Sequence, residues 1–130
     1  MNQDNTTDEQ KKSWSSWFEI PVEDMERAQK FYEAVFDTQI HVMDMGGFSM
    51  GIFPHGNSGA ALCKGEGYAP SPDGVVVYMD ASPDLAFAEA KIEAAGGKVI
   101  RGKKQISDEH GYMALFHDTE GNRLALHSMN

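Results

Sequence analysis

Short stretches of alternating apolar and polar residues begin near Trp14 and predict strands. The first stretch, residues 16–22 (SWFEIPV), has strand-type residues and a proline near its end, where a strand tolerates one. Asp24 follows at a position suited to a helix N-cap, and apolar residues then recur at three- and four-residue spacing. This spacing predicts an amphipathic helix whose apolar positions are Met25, Ala28, Phe31, Tyr32, Val35 and Phe36.

The same order of elements, a strand, a helix and three strands, is predicted twice along the chain. Three further strands are predicted at residues 39–43, 48–53 and 58–64, followed by a Gly-, Pro- and Ser-rich linker at 65–74. Beyond the linker, a strand at 75–80 leads to a second helix from the cap residue Ser82 to Ala95, which Gly96-Gly97 ends. The last strands are predicted at 98–101, 112–117 and 123–127. Two β-α-β-β-β units within one chain limit the possible topologies severely.

Composition narrows the setting of the protein. Residues 1–13 contain no apolar residue after Met1, so we expect a disordered polar tail ahead of one domain at 14–130. Cys63 is the only cysteine, which excludes an intrachain disulfide and a Cys-based zinc cluster and fits a reducing cytoplasm. No apolar run approaches the roughly 20 residues that span a bilayer, and no signal peptide is recognisable. We therefore expect a cytoplasmic protein that does not bind membranes.

The net charge of −9 argues against nucleic acid as a partner, because a phosphate backbone would be repelled. The basic residues that come closest to forming a cluster are predicted to lie on a solvated edge or loop. They are Lys98, Arg101, Lys103 and Lys104.

Several short motifs are shared with one protein family. They are the segment Trp17-Phe18-Glu19-Ile20-Pro21 with Asp24 after it, the segment Ala94-Ala95-Gly96-Gly97-Lys98-Val99, and the turn Asp118-Thr119-Glu120-Gly121-Asn122. Together they resemble the two modules of the vicinal-oxygen-chelate superfamily, which has the glyoxalase and bleomycin-resistance fold. The chain is most similar to small bacterial proteins described as predicted enzymes related to lactoylglutathione lyase.

This resemblance implies an α+β fold and a homodimer. Two paired βαβββ modules, module one at about 14–64 and module two at about 75–130, would form a curved mixed sheet around a cavity. Metal-dependent members of the family hold one divalent metal with a residue from the first and the last strand of each module. The corresponding positions in this sequence are Trp17, Ala61 or Cys63, Gly74 or Val75, and Ala125. Only Cys63 has a donor atom, so we expect no metal and no other cofactor.

Strand alternation places Glu19 and His127 on the face that the helices leave open. They are candidate catalytic residues that act as a general acid and base. They are equally candidates for a displaced metal half-site, or Glu19 pairs with Arg123 or backbone groups and His127 is half solvated. Candidate ligand-binding residues are Trp17, Met50, Tyr78, Asp80 and Arg123, although core packing would explain Met50 and a subunit interface would explain Tyr78 and Asp80.

Several functions remain open at this stage. We predict a glyoxalase-like protein that binds a small organic molecule in its cavity without the family metal site. The first alternative is a metal-dependent lyase, isomerase or dioxygenase with non-standard ligands such as Glu19, Tyr78 and His127. The second is a drug- or toxin-sequestering protein of the bleomycin-resistance kind. The acidic net charge of this chain suits a cationic ligand. A dimerising module with an incidental cavity is a further alternative.

Overall fold

The computed structural model describes residues 11–130, so most of the predicted tail lies outside the described residues, and residues 11–13 are exposed. The predicted order of elements is confirmed. The elements are β1 (Trp17–Pro21), α1 (Met25–Phe36), β2 (His41–Asp44), β3 (Ser49–Ile52), β4 (Gly59–Lys64), β5 (Val77–Asp80), α2 (Ala86–Ile92), β6 (Lys98–Ser107), β7 (Gly111–His117) and β8 (Arg123–Ser128). Among the described residues, neither helix is long and apolar enough to cross a membrane.

Each module forms one four-stranded mixed sheet. The strand orders are β1-β4-β3-β2 in module one and β5-β8-β7-β6 in module two. β1 lies parallel to β4 and β5 lies parallel to β8, and the other pairs are antiparallel. Parallel neighbours require a crossover, which α1 and α2 supply on one face of each sheet. We call the opposite face of each sheet the open face. The predicted α+β class is confirmed.

α1 begins where its sequence predicts. The side chain of Asp24 accepts a hydrogen bond from the backbone N–H of Arg27 at 3.0 Å, which caps the helix. Asp37 ends it in the left-handed conformation at φ 52°. The predicted apolar side supplies the buried residues Ala28, Phe31, Tyr32 and Val35.

α2 begins later than predicted, because Ser82 does not cap it. The backbone N–H and the hydroxyl of Ser82 both donate to Asp80 Oδ1, at 3.0 Å and 2.6 Å, and turn the chain at the end of β5. Asp84 instead accepts from the backbone N–H of Ala86, the first helical residue, at 2.9 Å. A local side-chain bond thus competes with helix capping.

Gly97 allows the two modules to approach closely. Its N–H donates to the carbonyl of Ile92 at 2.9 Å. The helix itself ends at Ile92, three residues before the predicted end at Ala95, and residues 93–96 form a turn. A Cβ atom at Gly97 would lie 2.6 Å from the carbonyl oxygen of His117 and 2.7 Å from the ring of Phe31. Phe31 therefore packs across the boundary between the modules, with its ring centroid 6.1 Å from that of Phe116.

β6 is longer than predicted and lies at the edge of its sheet. Its pairing with β7 has three register shifts, and these irregularities carry the strand past residue 101 to Ser107. The basic residues predicted to lie on a solvated edge or loop are exposed on this strand. Lysines on an edge strand discourage pairing with other sheets.

The turn after β7 fastens module two to the start of α1 through Glu120. The Glu120 carboxylate accepts from the backbone N–H groups of Glu23 and Asp24, each at 2.9 Å. It also accepts from the guanidinium of Arg27 at 2.8 Å and 2.9 Å. The Glu120 side chain is fully buried, whereas that of Arg27 is 51% exposed.

Two other residues of the same turn join the modules. The Tyr32 hydroxyl donates to Asp118 at 2.7 Å, and the side-chain amide of Asn122 donates to the carbonyl of Pro21 at 2.8 Å. Burial and the Asp118 charge raise the pKa of Tyr32 well above its usual value, so the hydroxyl keeps the proton it donates. The motif that resembles the family thus has a structural role.

The Glu120 carboxylate links folding to pH. Burial alone would raise its pKa, but hydrogen bonds from Arg27, Asp24, Thr119 and Glu23 outweigh burial and lower the pKa from 4.5 to about 2. Because the folded pKa lies below the unfolded value, the stabilisation is complete above pH 4.5 and is lost as the pH falls toward 2.

We predict that Glu120→Gln lowers the free energy of unfolding at neutral pH by about 2 kcal/mol, because it removes a buried charge bonded to Arg27. Urea unfolding measures this change. The difference from the wild type should narrow as the pH falls from about 4.5 to about 2, because in this range Glu120 gains its proton in the unfolded wild type before it does so in the folded protein.

Glu109→Gln is the matched control, because Glu109 is exposed and the charge change is the same. It should alter the free energy of unfolding by no more than about 0.5 kcal/mol. A Glu120→Gln deficit that stays constant from neutral pH to about pH 3 would contradict the assigned role of Glu120.

Candidate functional site

The open face of module one has a floor of small residues between larger ones. Register places Glu19 of β1 beside Ala61 of β4, and Ala61 beside Ile52 of β3. One row further on, Cys63 lies between Pro21 and Met50. Met50 is therefore on the open face, and it is half-buried.

Glu19 is the centre of a hydrogen-bonded cluster on this face. Its carboxylate accepts from the indole N–H of Trp17 at 3.2 Å and from the hydroxyl of Tyr68 at 2.7 Å. The ring of Tyr68 stacks on that of Phe48 with centroids 5.5 Å apart, and the ring of Trp17 meets His55 edge-on at the same separation. We call Trp17, Glu19, Phe48, Cys63 and Tyr68 the Glu19 cluster.

The hydroxyl and the thiol of this cluster hold their protons firmly. The hydrogen bond to Glu19 raises the pKa of Tyr68 to about 12. Burial, followed by the charge of Glu19, raises the pKa of the Cys63 thiol to about 11. Neither group is therefore a nucleophile or a base near neutral pH.

The open face of module two carries Tyr78, Asp80 and His127. Tyr78 lies beside the buried Ala125, and Asp80 lies beside His127. The Nε2 atom of His127 lies 2.6 Å from the carbonyl oxygen of His110. Because a carbonyl only accepts, Nε2 carries the hydrogen and Nδ1 is the accepting atom of the neutral ring. Hydrogen bonds from the side chain and backbone of Ser82 lower the pKa of Asp80, so this carboxyl stays ionised.

Arg123 and Glu19 do not form the ion pair that was one alternative. Glu19 bonds to Trp17 and Tyr68, whereas Arg123 makes only a long hydrogen bond, 3.4 Å, to the carbonyl of Gly74. The buried Nε of Arg123 has no hydrogen-bond partner among the described residues.

Glu19 and His127 share no hydrogen bond and no bonding partner. They lie on different sheets. Glu19 bonds to Trp17 of its own module and to Tyr68 of the linker, and His127 bonds to the carbonyl of His110 in its own module. Their action as an acid and base pair stays a prediction.

Two of the clefts along the boundary between the modules are lined in part by residues of β1. The larger, about 470 Å³, is lined by Phe18, Phe36, Phe53, His55, Met79 and Asp80 among others. A second, about 320 Å³, includes Glu19. The other predicted site residues, Trp17, Met50, Tyr78, Arg123 and His127, line neither of these clefts. They lie on open faces that the described residues of a single chain do not enclose.

The sequence pattern of the Glyoxalase/Bleomycin resistance protein/Dioxygenase superfamily matches residues 14–126. The chain belongs to this superfamily. The paired βαβββ modules are the fold expected from the sequence motifs.

Solved structures of this superfamily resemble the chain in fold. A glyoxalase/bleomycin resistance protein from Albidiferax ferrireducens T118 has 19% identity and a TM-score of 0.69, with 88% of this chain and 97% of that chain covered. A glyoxalase I mutant from Zea mays has 19% identity and a TM-score of 0.67, with 87% and 45% covered. The fosfomycin resistance protein FosX from Listeria monocytogenes has 14% identity and a TM-score of 0.65, with 90% and 91% covered.

These identities show the common fold alone. No curated protein matches the chain in sequence.

The register shows which positions of the two modules are equivalent. Trp17 stands two residues before Glu19, the partner of Ala61, and Val76 stands two residues before Tyr78, the partner of Ala125. Val75, which the family resemblance offered with Gly74 as a possible ligand position, is 91% exposed and precedes β5.

The side chains at these positions do not fit a divalent metal. The indole N–H of Trp17 is a donor and is bonded to Glu19, while Val76, Ala61 and Ala125 have no polar atom. Among residues 11–130, no three His, Cys, Asp or Glu side chains are grouped so as to hold a metal ion. A metal-free site remains a prediction, which metal analysis tests.

Sequence reasoning missed Tyr68 and His55 as members of the site region. Tyr68 lies in the Gly- and Pro-rich linker, where its isolated aromatic ring was the only signal. His55 lies in the turn between β3 and β4, and its ring fills the space above Gly59, where a Cβ atom would lie 2.7 Å from it.

We predict that Cys63 reacts with Ellman's reagent at about pH 8 at least roughly a hundredfold more slowly than an unperturbed thiol, because the thiol is buried and its raised pKa reduces the thiolate fraction. The chain has one cysteine, so absorbance at the released thiolate's maximum reports Cys63 alone.

Glu19→Gln should accelerate this reaction, because the carboxylate charge contributes to the raised pKa of the thiol. Glu66→Gln, which removes the same charge from an exposed position, should leave the rate unchanged. Fast labelling of the folded wild type would show that the Glu19 cluster is not packed as described.

Proposed function

We propose that this chain is a glyoxalase-like binding protein that holds a small organic molecule against the open faces of its sheets, without the family metal site. The single observation that supports this most is the Glu19 cluster. It puts an exposed carboxylate beside aromatic rings at the strand that would carry a metal ligand. Apolar walls with a few placed polar groups are the usual composition of small-molecule sites.

A second copy of the chain completes the site in this proposal. Trp17 is 38% exposed and Tyr78 is 51% exposed in a single chain. A small-molecule site usually buries most of its ligand, which these open faces do not achieve alone. Proteins of this superfamily are commonly dimeric. We therefore infer a homodimer in which an open face of one chain faces the other chain.

Metal content tests the metal-free part of the proposal. Protein purified without chelator and incubated in turn with zinc, nickel, manganese and iron(II) should retain close to no metal per chain after gel filtration. The expected donor positions lack lone pairs, and one thiol is insufficient for a stable site.

About one equivalent of any of these ions per chain would contradict the metal-free site. Loss of that ion in Cys63→Ser would then assign it to the thiol, and loss in Glu19→Gln or His127→Gln would assign it to a displaced site.

Trp17 fluorescence tests small-molecule binding. The chain has two tryptophans, so Trp14→Phe leaves Trp17 as the only one. At least one of three probes with a common ring, benzyl alcohol, phenylacetate and benzyltrimethylammonium, should change the Trp17 emission in a saturable manner. In the Trp17→Phe variant, the emission of the exposed Trp14 should show no saturable change on addition of any probe.

Sedimentation velocity of the same Trp14→Phe protein, with and without probe, gives the state that binds. Binding by a monomer would contradict the inferred second copy. Failure of all three probes to change the emission at millimolar concentration would contradict the proposed binding function.

A further inference from the structure

The Glu19 carboxylate carries a charge that no basic side chain offsets in the described structure. Both of its hydrogen-bond donors, the indole of Trp17 and the hydroxyl of Tyr68, are neutral. The ion pairs between residues 11 and 130 are Arg27 with Glu120 and Lys103 with Asp84. Because Glu19 is exposed, its charge is available to a ligand.

Aromatic rings surround this charge. Trp17 and Tyr68 contact the carboxylate directly, and Phe48 and His55 pack on their rings. The face of an aromatic ring attracts a cation through its quadrupole, and a nearby carboxylate adds a full opposite charge. Rings and a carboxylate together are the chemistry that recognises an ammonium group.

The same side chains disfavour a metal ion as the cation. Trp17 and Tyr68 present N–H and O–H hydrogens to the carboxylate, and Glu19 supplies the one carboxylate of the Glu19 cluster. A bound metal needs several lone-pair donors, whereas an ammonium group is satisfied by one carboxylate and ring faces.

The neighbouring open face suits the apolar body of such a ligand. Ile52 and Met50 lie beside the buried Ala61 and Cys63, one strand further from Glu19. Both are partly exposed, so they offer apolar contact next to the charged group.

We propose that the Glu19 cluster binds an organic cation, an ammonium or quaternary ammonium group on an apolar body. Glu19 supplies the opposite charge, and Trp17 and Tyr68 supply ring contacts. This inference rests on the proposed function, because it names the ligand class of the same open face. Glu19 is then a binding residue rather than the acid or base of a reaction.

The test compares the three benzyl probes in the Trp14→Phe protein by titration of the Trp17 emission. Benzyltrimethylammonium should bind about tenfold more tightly than benzyl alcohol, which has a similar ring and no charge. Phenylacetate should bind most weakly, because Glu19 repels its carboxylate.

Variants of the Glu19 cluster assign the preference to its residues. Glu19→Gln should weaken benzyltrimethylammonium binding about tenfold and leave benzyl alcohol binding unchanged. Tyr68→Phe keeps the ring and removes its hydrogen bond, so it should retain more cation affinity than Tyr68→Leu. Glu66→Gln removes an equal charge from an exposed position outside the cluster and should change neither affinity.

The possible outcomes distinguish failure of the organic-cation inference from failure of the proposed function. Equal binding of the charged and uncharged probes would overturn the organic-cation inference and leave small-molecule binding intact. An equal loss in Glu66→Gln and Glu19→Gln would overturn it also, because the overall charge would then explain the preference. No binding of any probe would overturn both. Circular dichroism and urea unfolding of each variant confirm that a loss of binding is not a loss of folding.

Discussion

The buried carboxylate of Glu120 is the constraint on which the arrangement of the two modules depends. A charge placed in the interior must be hydrogen-bonded, and the donors that satisfy Glu120 from the other module belong to the start of α1. Asn122 of the same turn bonds to the carbonyl of Pro21 at the end of β1. The turn thus holds both the helix and the first strand of module one, and the two modules share one core that includes Phe31 and Phe116.

In this arrangement both helices lie on one side of the sheets, and the candidate site residues lie on the other side. The core side of β1 and β4 carries Ile20, Ala60 and Leu62, whereas the open side carries Trp17 and Glu19. On the open face of module one, the Glu19 carboxylate lies beside aromatic rings.

Local sequence signals predicted most of the elements, and the exceptions have physical causes. α1 follows its capping and apolar spacing because both signals lie within a few residues. α2 begins late because Ser82 bonds to Asp80, a choice between two local partners that the residue type alone does not decide. β6 extends to Ser107 because bulges let an irregular, charged segment continue to pair with β7.

The sequence by itself determined the repeated order of elements, the family resemblance and the face on which Trp17, Glu19, Tyr78 and His127 lie. Strand alternation is a local property with a period of two residues, so it can be read without knowing what the strand meets. Only the tertiary structure decided which of these residues have partners. Tyr68 bonds to Glu19 across 49 residues, and Glu120 bonds to Asp24 across 96. Such contacts depend on how the sheets twist and how the modules pack, which no local pattern specifies. For the same reason, the hydrogen bonds of Glu19 to Trp17 and Tyr68, and of His127 to the carbonyl of His110, could not be read from the sequence.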